Sequence, residues 1–257
     1  MKIDYYAYSS GIRNWNAAFK VLLSMTVLLF CIIADNLYVS SAVVLSMALF
    51  TIEKGKVDAM DYVHLMTIPL TFMILGSIAI AAGFSKEALG DYRIDLKICY
   101  LYTSASGIRR CLNVFMKAWG AVSAMYLMTL STPASELISV LRKAHIPKVV
   151  VELMNMIYRF IFIMLEVHER MKISAQSRLG YVDFPTSCKS FGNTASNLLV
   201  VSFKKANAYY DAMISRCYDG DFVFLEEEKP VTGMQLAGGA AYLCCLVLIW
   251  QLTGRFW

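Results

Sequence analysis

The run Glu166-Val167-His168-Glu169 holds the residue types from which a metal centre or an acid–base site is built. A metallohydrolase helix needs a second histidine four residues after the first, so that both imidazoles reach one ion from one face. The residue four after His168 is Lys172, and the other histidines, His64 and His145, stand at no metal-ligand spacing from it. The seven cysteines, Cys31, Cys99, Cys111, Cys188, Cys217, Cys244 and Cys245, show no C-x-x-C spacing. At least three of them lie in apolar runs, where cysteine behaves as a small hydrophobe. No glycine-rich phosphate loop of either common type occurs. No catalytic, cofactor-binding or metal-ligating residue is therefore expected, and if the protein uses ATP, another chain binds it. A membrane enzyme built on Glu166, His168 and Glu169 is the rival reading.

The stronger signal is a repeated one. Ser177-Arg178-Leu179-Gly180-Tyr181 closes one long polar helix, and Ser215-Arg216-Cys217-Tyr218-Asp219-Gly220 closes the next. Each places a small residue and an Arg at the helix end, followed closely by Tyr and Gly. A lone Arg there would merely offset the helix dipole, with Gly as the residue beyond the cap. Two matching ends favour a second use: the small residues admit a partner surface, and the planar guanidinium forks onto a carboxylate on it.

The elements that must carry these ends are read from hydrophobic blocks. With 58% hydrophobic residues in 257 and a mean hydropathy of +0.54, the chain is more apolar than a soluble domain. Val21 to Ala34, extended back to Ala17, is the first uncharged block, read as a retained span and not a cleaved signal because no small-residue cleavage site follows. Leu37 to Ile52 is the second, and the pair predicts a tight helical hairpin. Tyr62 to Phe84, with Pro69 inside it, and Cys111 to Ser131, with a snorkelling Lys117, are the third and fourth. Val231 to Thr253 is the fifth. Ser85 to Arg110 is mixed and polar, with Gly90 and Gly107 as breakers.

Thr132 to Val231 differs in kind, because twelve Lys/Arg and eleven Asp/Glu are interleaved with its apolar residues. Each charge near a bilayer centre would cost roughly 2.5–3.5 kcal/mol, so this region is read as cytoplasmic or interfacial helices. Thr132-Pro133 starts a short helix through Lys143, and Pro147 starts a long one. Along it Glu152, Arg159 and Glu166 fall seven apart and form one polar stripe. Gly180 to Asn193, with Pro185 and Gly192, is read as a break before a second helix over roughly Thr194 to Cys217. The expectation is an all-α integral-membrane chain of one domain: four spans in 1–131, a coupling-helix region over 132–230 and a last span in 231–257. The net charge of +5 sits mostly beside the spans. Lys2, Arg13 and Lys20 before the first span, Lys54 and Lys56 after the second and the charged region after the fourth place the N-terminus inside and the C-terminus outside a cell membrane, and the modest net charge implies lipid contact, not nucleic acid.

With these residues in view, the sequence resembles the CbiQ family, the cobalt-type T components of energy-coupling-factor ABC transporters. Ile3-Asp4-Tyr5-Tyr6-Ala7-Tyr8-Ser9-Ser10 with Trp15-Asn16 looks like the family's opening. Thr132-Pro133 with Leu137 and Leu141, and Tyr158-Arg159-Phe160 with Glu166 and Arg170, look like its approach to the coupling helices. The paired small-Arg endings are its hallmark. The residue after each Arg is usually small in the family, whereas here it is Leu179 or Cys217, with Gly180 one place on and Gly220 further off. The resemblance implies a non-catalytic subunit in a bacterial or archaeal inner membrane. It implies contact with two cytosolic ATPase subunits (CbiO-like) through Ser177, Arg178, Leu179, Gly180, Ser215, Arg216, Cys217, Tyr218 and Gly220. It also implies a substrate-binding membrane subunit (CbiM-like) and a small accessory one (CbiN-like). Cobalt is the implied cargo, with nickel- and vitamin-directed T components as the alternatives.

Overall fold

The computed structural model describes residues 2–81, 83–85, 92–96, 99–103, 105–144, 146–219 and 229–254. The described chain divides into two compact units, residues 1–137 with 228–257, and residues 138–227.

The first unit holds α1 (Lys2–Ser9), α2 (Ala17–Ala34), α3 (Leu37–Glu53), α4 (Ala59–Ala81), α5 (Ala105–Ser131), the start of α6 (Ala134–Lys143) and α9 (Gly233–Thr253). Four of these are long and apolar enough to cross a membrane: Ala17–Ala34, Ala59–Ile80, Gly107–Ser131 and Gly233–Thr253. The turn between α2 and α3 is only Asp35-Asn36. Asp35 is left-handed at φ 43°, and the Asn36 side chain accepts a hydrogen bond from the Tyr38 N–H, capping α3. The chain thus turns straight from α2 into α3, which was expected to be a span but is not among these four. At 17 residues α3 runs only about 26 Å, yet it supplies the centre of the unit. Val39, Val43 and Met47 are buried with Val27 of α2, Ala124 and Leu127 of α5 and Leu246 of α9. Gly120 lets α5 come close: a Cβ there would stand 2.7 Å from the Cys31 sulfur. Outward, α4 presents Ile68, Phe72, Leu75 and Ile78, each more than half exposed, as a lipid-facing surface. Lys117 forms an ion pair with Asp35, so the charge in α5 is met at the end of the α2–α3 hairpin.

The architecture is the helical membrane protein expected, with two additions. The N-terminal α1 was not foreseen. Between α4 and α5 lies a small antiparallel sheet of β1 (Gly83–Ser85), β2 (Tyr92–Leu96) and β3 (Cys99–Thr103), with β3 in the middle and Leu101 opposite both Phe84 and Ile94. Gly90 lies outside the described residues, and Gly107 sits inside α5 without breaking it.

The second unit holds the remainder of α6, α7 (Lys148–Ser177) and α8 (Phe184–Ile214). Neither α7 nor α8 is apolar enough to count as a span. Pro147 sits at the N-cap of α7, as its fixed φ and missing N–H favour. The start of α8 is earlier than the sequence indicates. Pro185 occupies the first turn, where a proline is pre-organised for the helix, so it opens α8 ten residues before Thr194. Gly192 is then carried inside the helix. The expected stripe on α7 is also divided: Glu152 is buried, whereas Arg159 and Glu166 are exposed.

Candidate functional site

The ends of α7 and α8 share one backbone construction. At α7 the Gly180 N–H bonds the Ala175 carbonyl at 2.8 Å, and the Leu179 N–H bonds the Gln176 carbonyl at 3.0 Å. At α8 the Tyr218 N–H bonds the Met213 carbonyl at 3.1 Å, and the Cys217 N–H bonds the Ile214 carbonyl at 3.0 Å. Counted from Arg178 or Arg216, donors and acceptors fall at the same offsets, and both are Schellman closures with the Arg at the cap. The left-handed residue such a closure needs is Leu179 at φ 57° in one and Cys217 at φ 60° in the other. Ser177 and Ser215, one residue before each Arg, both return their hydroxyls to the carbonyl four residues back, at 3.0 Å to Ile173 and 2.8 Å to Asp211. That bond ties the small side chain down along its own helix.

Both Arg side chains are exposed, and among the described residues no ion pair engages either. Each guanidinium therefore stands at a rigid helix end with its fork of donors unused. After Arg178 come the exposed apolar Leu179 (72%), Val182 (66%) and Phe184 (83%), with the exposed Asp183 among them. Around Arg216 the surface mixes Ile214, Cys217 and Asp219 with the half-buried Tyr218. Gly180 plays another part than the expected one. It is buried, and a Cβ there would lie 2.6 Å from the Ser190 hydroxyl and 2.8 Å from the Ala175 carbonyl. Its smallness serves the turn from α7 into α8. Gly220 lies outside the described residues.

The separation of the two ends follows from the helix pairing. Gly180 abuts Ser190, and the Arg159 guanidinium donates to the Tyr209 hydroxyl at 3.0 Å, so α7 and α8 run antiparallel. Arg178 lies at the bend and Arg216 at the far end of the 31-residue α8, about 46 Å further along the helix axis. The two tips cannot share one small groove.

The other candidates, Glu166, His168 and Glu169, all lie on α7. Glu166 is engaged by Arg170 one turn on, and Tyr158 stacks edge-on against Phe162 at 5.1 Å. Among the described residues no group of three or more His, Cys, Asp or Glu converges on a point where an ion could sit. His145 lies outside the described residues.

Sequence reading missed a second polar assembly. Lys20, near the start of α2, is buried and donates to the Ser131 carbonyl at 2.8 Å and to the Ile12 carbonyl at 3.4 Å. Lys229, just before α9, donates to the Glu136 Oε1 at 2.6 Å and to the Arg13 carbonyl at 2.8 Å. The Glu136 Oε2 faces Lys20 at 3.7 Å. No motif joins these positions. The one available signal was a lysine inside the first turn of an apolar span, where a buried partner is needed.

A family model described as CbiQ, cobalt transport protein, matches residues 9–229. An uncharacterized protein of Methanocaldococcus jannaschii is 30% identical over 254 residues, covering 99% of this chain and 94% of that one. A putative fused cobalt transport protein CbiMQ of Methanocorpusculum labreanum is 27% identical over 232 residues, which is 90% of this chain and 38% of that protein. A cobalt transport protein CbiQ of Rhodobacter capsulatus is 22% identical over 251 residues, 96% of this chain and 98% of that one.

Proposed function

Because the chain belongs to the CbiQ family of cobalt transport proteins and crosses the membrane several times, we propose that it is the energy-coupling subunit of an ATP-driven cobalt importer, performing no chemistry itself. Arg178 and Arg216 dock into grooves on two cytosolic CbiO-like ATPase subunits, which hold the ATP and Mg2+. The membrane-spanning unit holds a CbiM-like substrate-binding subunit with a CbiN-like accessory subunit, in a bacterial or archaeal inner membrane, N-terminus inside. The name of the Methanocorpusculum relative, a fused cobalt transport protein CbiMQ, supports the CbiM-like partner.

The observation that carries this reading is the duplicated helix end. One Schellman closure with an exposed Arg is an ordinary helix terminus. Two that agree in hydrogen-bond offsets, left-handed residue and serine back-bond, with the tips about 46 Å apart along α8, are what one chain needs to hold two equivalent partner subunits at once. A rigid tip also lowers the ordering cost of docking, because cap and serine are already fixed. When the ATPases close on nucleotide, their grooves move relative to one another, and the antiparallel α7–α8 pair carries that displacement.

Replacement of Arg178 and Arg216 together by Ala tests this. A docked Arg that meets a carboxylate in an interface centre contributes about 2 kcal/mol, roughly 30-fold in affinity for each tip. The double variant should insert normally, fail to co-purify with the ATPase subunits and lose uptake of radiolabelled Co2+. Retention of the ATPases and of uptake would remove the basis of the proposal. So would a His168→Ala variant that proved more damaging than the Arg pair, the result expected of a membrane enzyme.

A further inference from the structure

The unit of residues 138–227 is joined to the membrane unit by two chain crossings, one just after Leu137 and one just before Glu228. Glu136 and Lys229, both partly buried, lie within two residues of the two crossings on the membrane side, and the buried Lys20 joins them. Lys229 carries two bonds outward, to the Glu136 carboxylate and the Arg13 carbonyl, and its own carbonyl accepts from the Asn16 amide at 2.5 Å. Lys20 holds the last carbonyl of α5, Ser131, and the Ile12 carbonyl. Five pieces of chain therefore meet through the Lys20–Glu136–Lys229 cluster: residues 12–16, α2, the end of α5, the start of α6 and the segment leading into α9. Two of these are the only covalent routes by which the 138–227 unit can move the rest.

We infer that Glu136, held between Lys20 and Lys229, is the joint that binds both crossings to each other and to α2, so that displacement of α7 and α8 is delivered to the membrane helices instead of being absorbed in the connections. This rests on the coupling reading above. The carboxylate position matters because a neutral amide would keep the shape and leave two largely buried ammonium groups without a counter-charge. Glu136 also has unused capacity. Its Oε2 is buried and has no hydrogen-bond partner among the described residues, while Lys20 waits 3.7 Å away. A shift of α6 toward α2 by less than about an ångström brings the Lys20 ammonium within hydrogen-bonding range of Oε2, so the same three residues hold the joint at both ends of a small stroke. Glu136, Lys20 and Lys229 are positioning residues, touching neither cargo nor nucleotide.

The test uses the whole complex, with its ATPase and substrate-binding subunits, in proteoliposomes, and reads Co2+ uptake and ATP hydrolysis side by side. For Glu136→Gln, and separately for Lys229→Met, the expected result is at least a tenfold fall in Co2+ moved per ATP hydrolysed. The ATPase subunits should still co-purify, and hydrolysis should stay within about twofold of the parent. The two substitutions combined should cost no more than the worse one, because they break the same contact. Glu136→Asp, which keeps the charge, should restore part of the ratio. An unchanged uptake-to-hydrolysis ratio overturns the proposal, as does a loss of uptake that only tracks loss of the ATPase subunits. A second readout is independent of transport: in the isolated chain in nanodiscs, Lys229→Met should speed amide exchange in α6 and at the start of α9, and no change there also overturns it. If the parent chain binds no ATPase, the coupling reading fails while the exchange experiment still reports on the joint.

Discussion

Leu179 and Cys217 hold the left-handed position of their closures, which a Cβ penalises by about 1–2 kcal/mol and which glycine takes freely. Leu179→Gly should therefore strengthen the end of α7, seen as slower amide exchange at Gly180 and Leu179, whose N–H groups close the turn. Gly180→Ala should do the reverse. The added methyl meets the Ser190 hydroxyl and a backbone carbonyl, so the α7–α8 turn must open, with lower thermal stability and weaker ATPase binding. The repeated Ser-Arg was legible because it is a local pattern of residue types. That Leu179 and Cys217 take the positive φ was not, since the closure is fixed by hydrogen bonds back into each helix and not by which residue is most permissive. The pairing of Glu136 with Lys229 was equally out of reach, because 93 residues separate two ordinary surface-type side chains.

At the scale of elements, α2, α3, α4 and α9 match the apolar blocks within three residues, and α5 begins six residues before its block, because lipid leaves only long hydrogen-bonded helices as a way to bury such sequence. The opening of α8 was misread for a reason of position. Pro185 and Gly192 signal a break in mid-helix, but Pro in a first turn starts a helix, and a 31-residue helix carries one Gly at modest cost. Gly192→Ala should accordingly be harmless or better. A Cβ there meets nothing within 4 Å, so α8 should gain about 0.5–1 kcal/mol, measured by thermal unfolding, with uptake unchanged. A fall in uptake would mean that α8 must bend at Gly192.

For the whole molecule, charge patterning distinguishes the apolar blocks from the interleaved region of 132–230, and the second compact unit covers 138–227. The small sheet between α4 and α5 was invisible, because its strands are too short and mixed to carry a period. The orientation proposed from the basic residues predicts a labelling result. Cys188 and Cys217 are exposed in the second unit, so in the isolated chain a membrane-impermeant maleimide should reach them in inside-out vesicles and not in right-side-out ones. Labelling from the opposite side would invert the topology and put both Arg tips out of reach of cytosolic ATP.

The unequal lengths of the spans carry a last consequence. The α2–α3 hairpin is built from helices of 18 and 17 residues, while α4 has 23, a difference of about 8 Å in hydrophobic height across one small protein. A sheet of lipid cannot match both flanks at once. It must dip beside α2, where Leu22, Leu29 and Ile33 face outward, or α4 must lean. Each ångström of such misfit stores a fraction of a kcal/mol in the surrounding acyl chains. The thickness of the host bilayer thereby becomes a force acting on α2, the helix whose Lys20 faces Glu136.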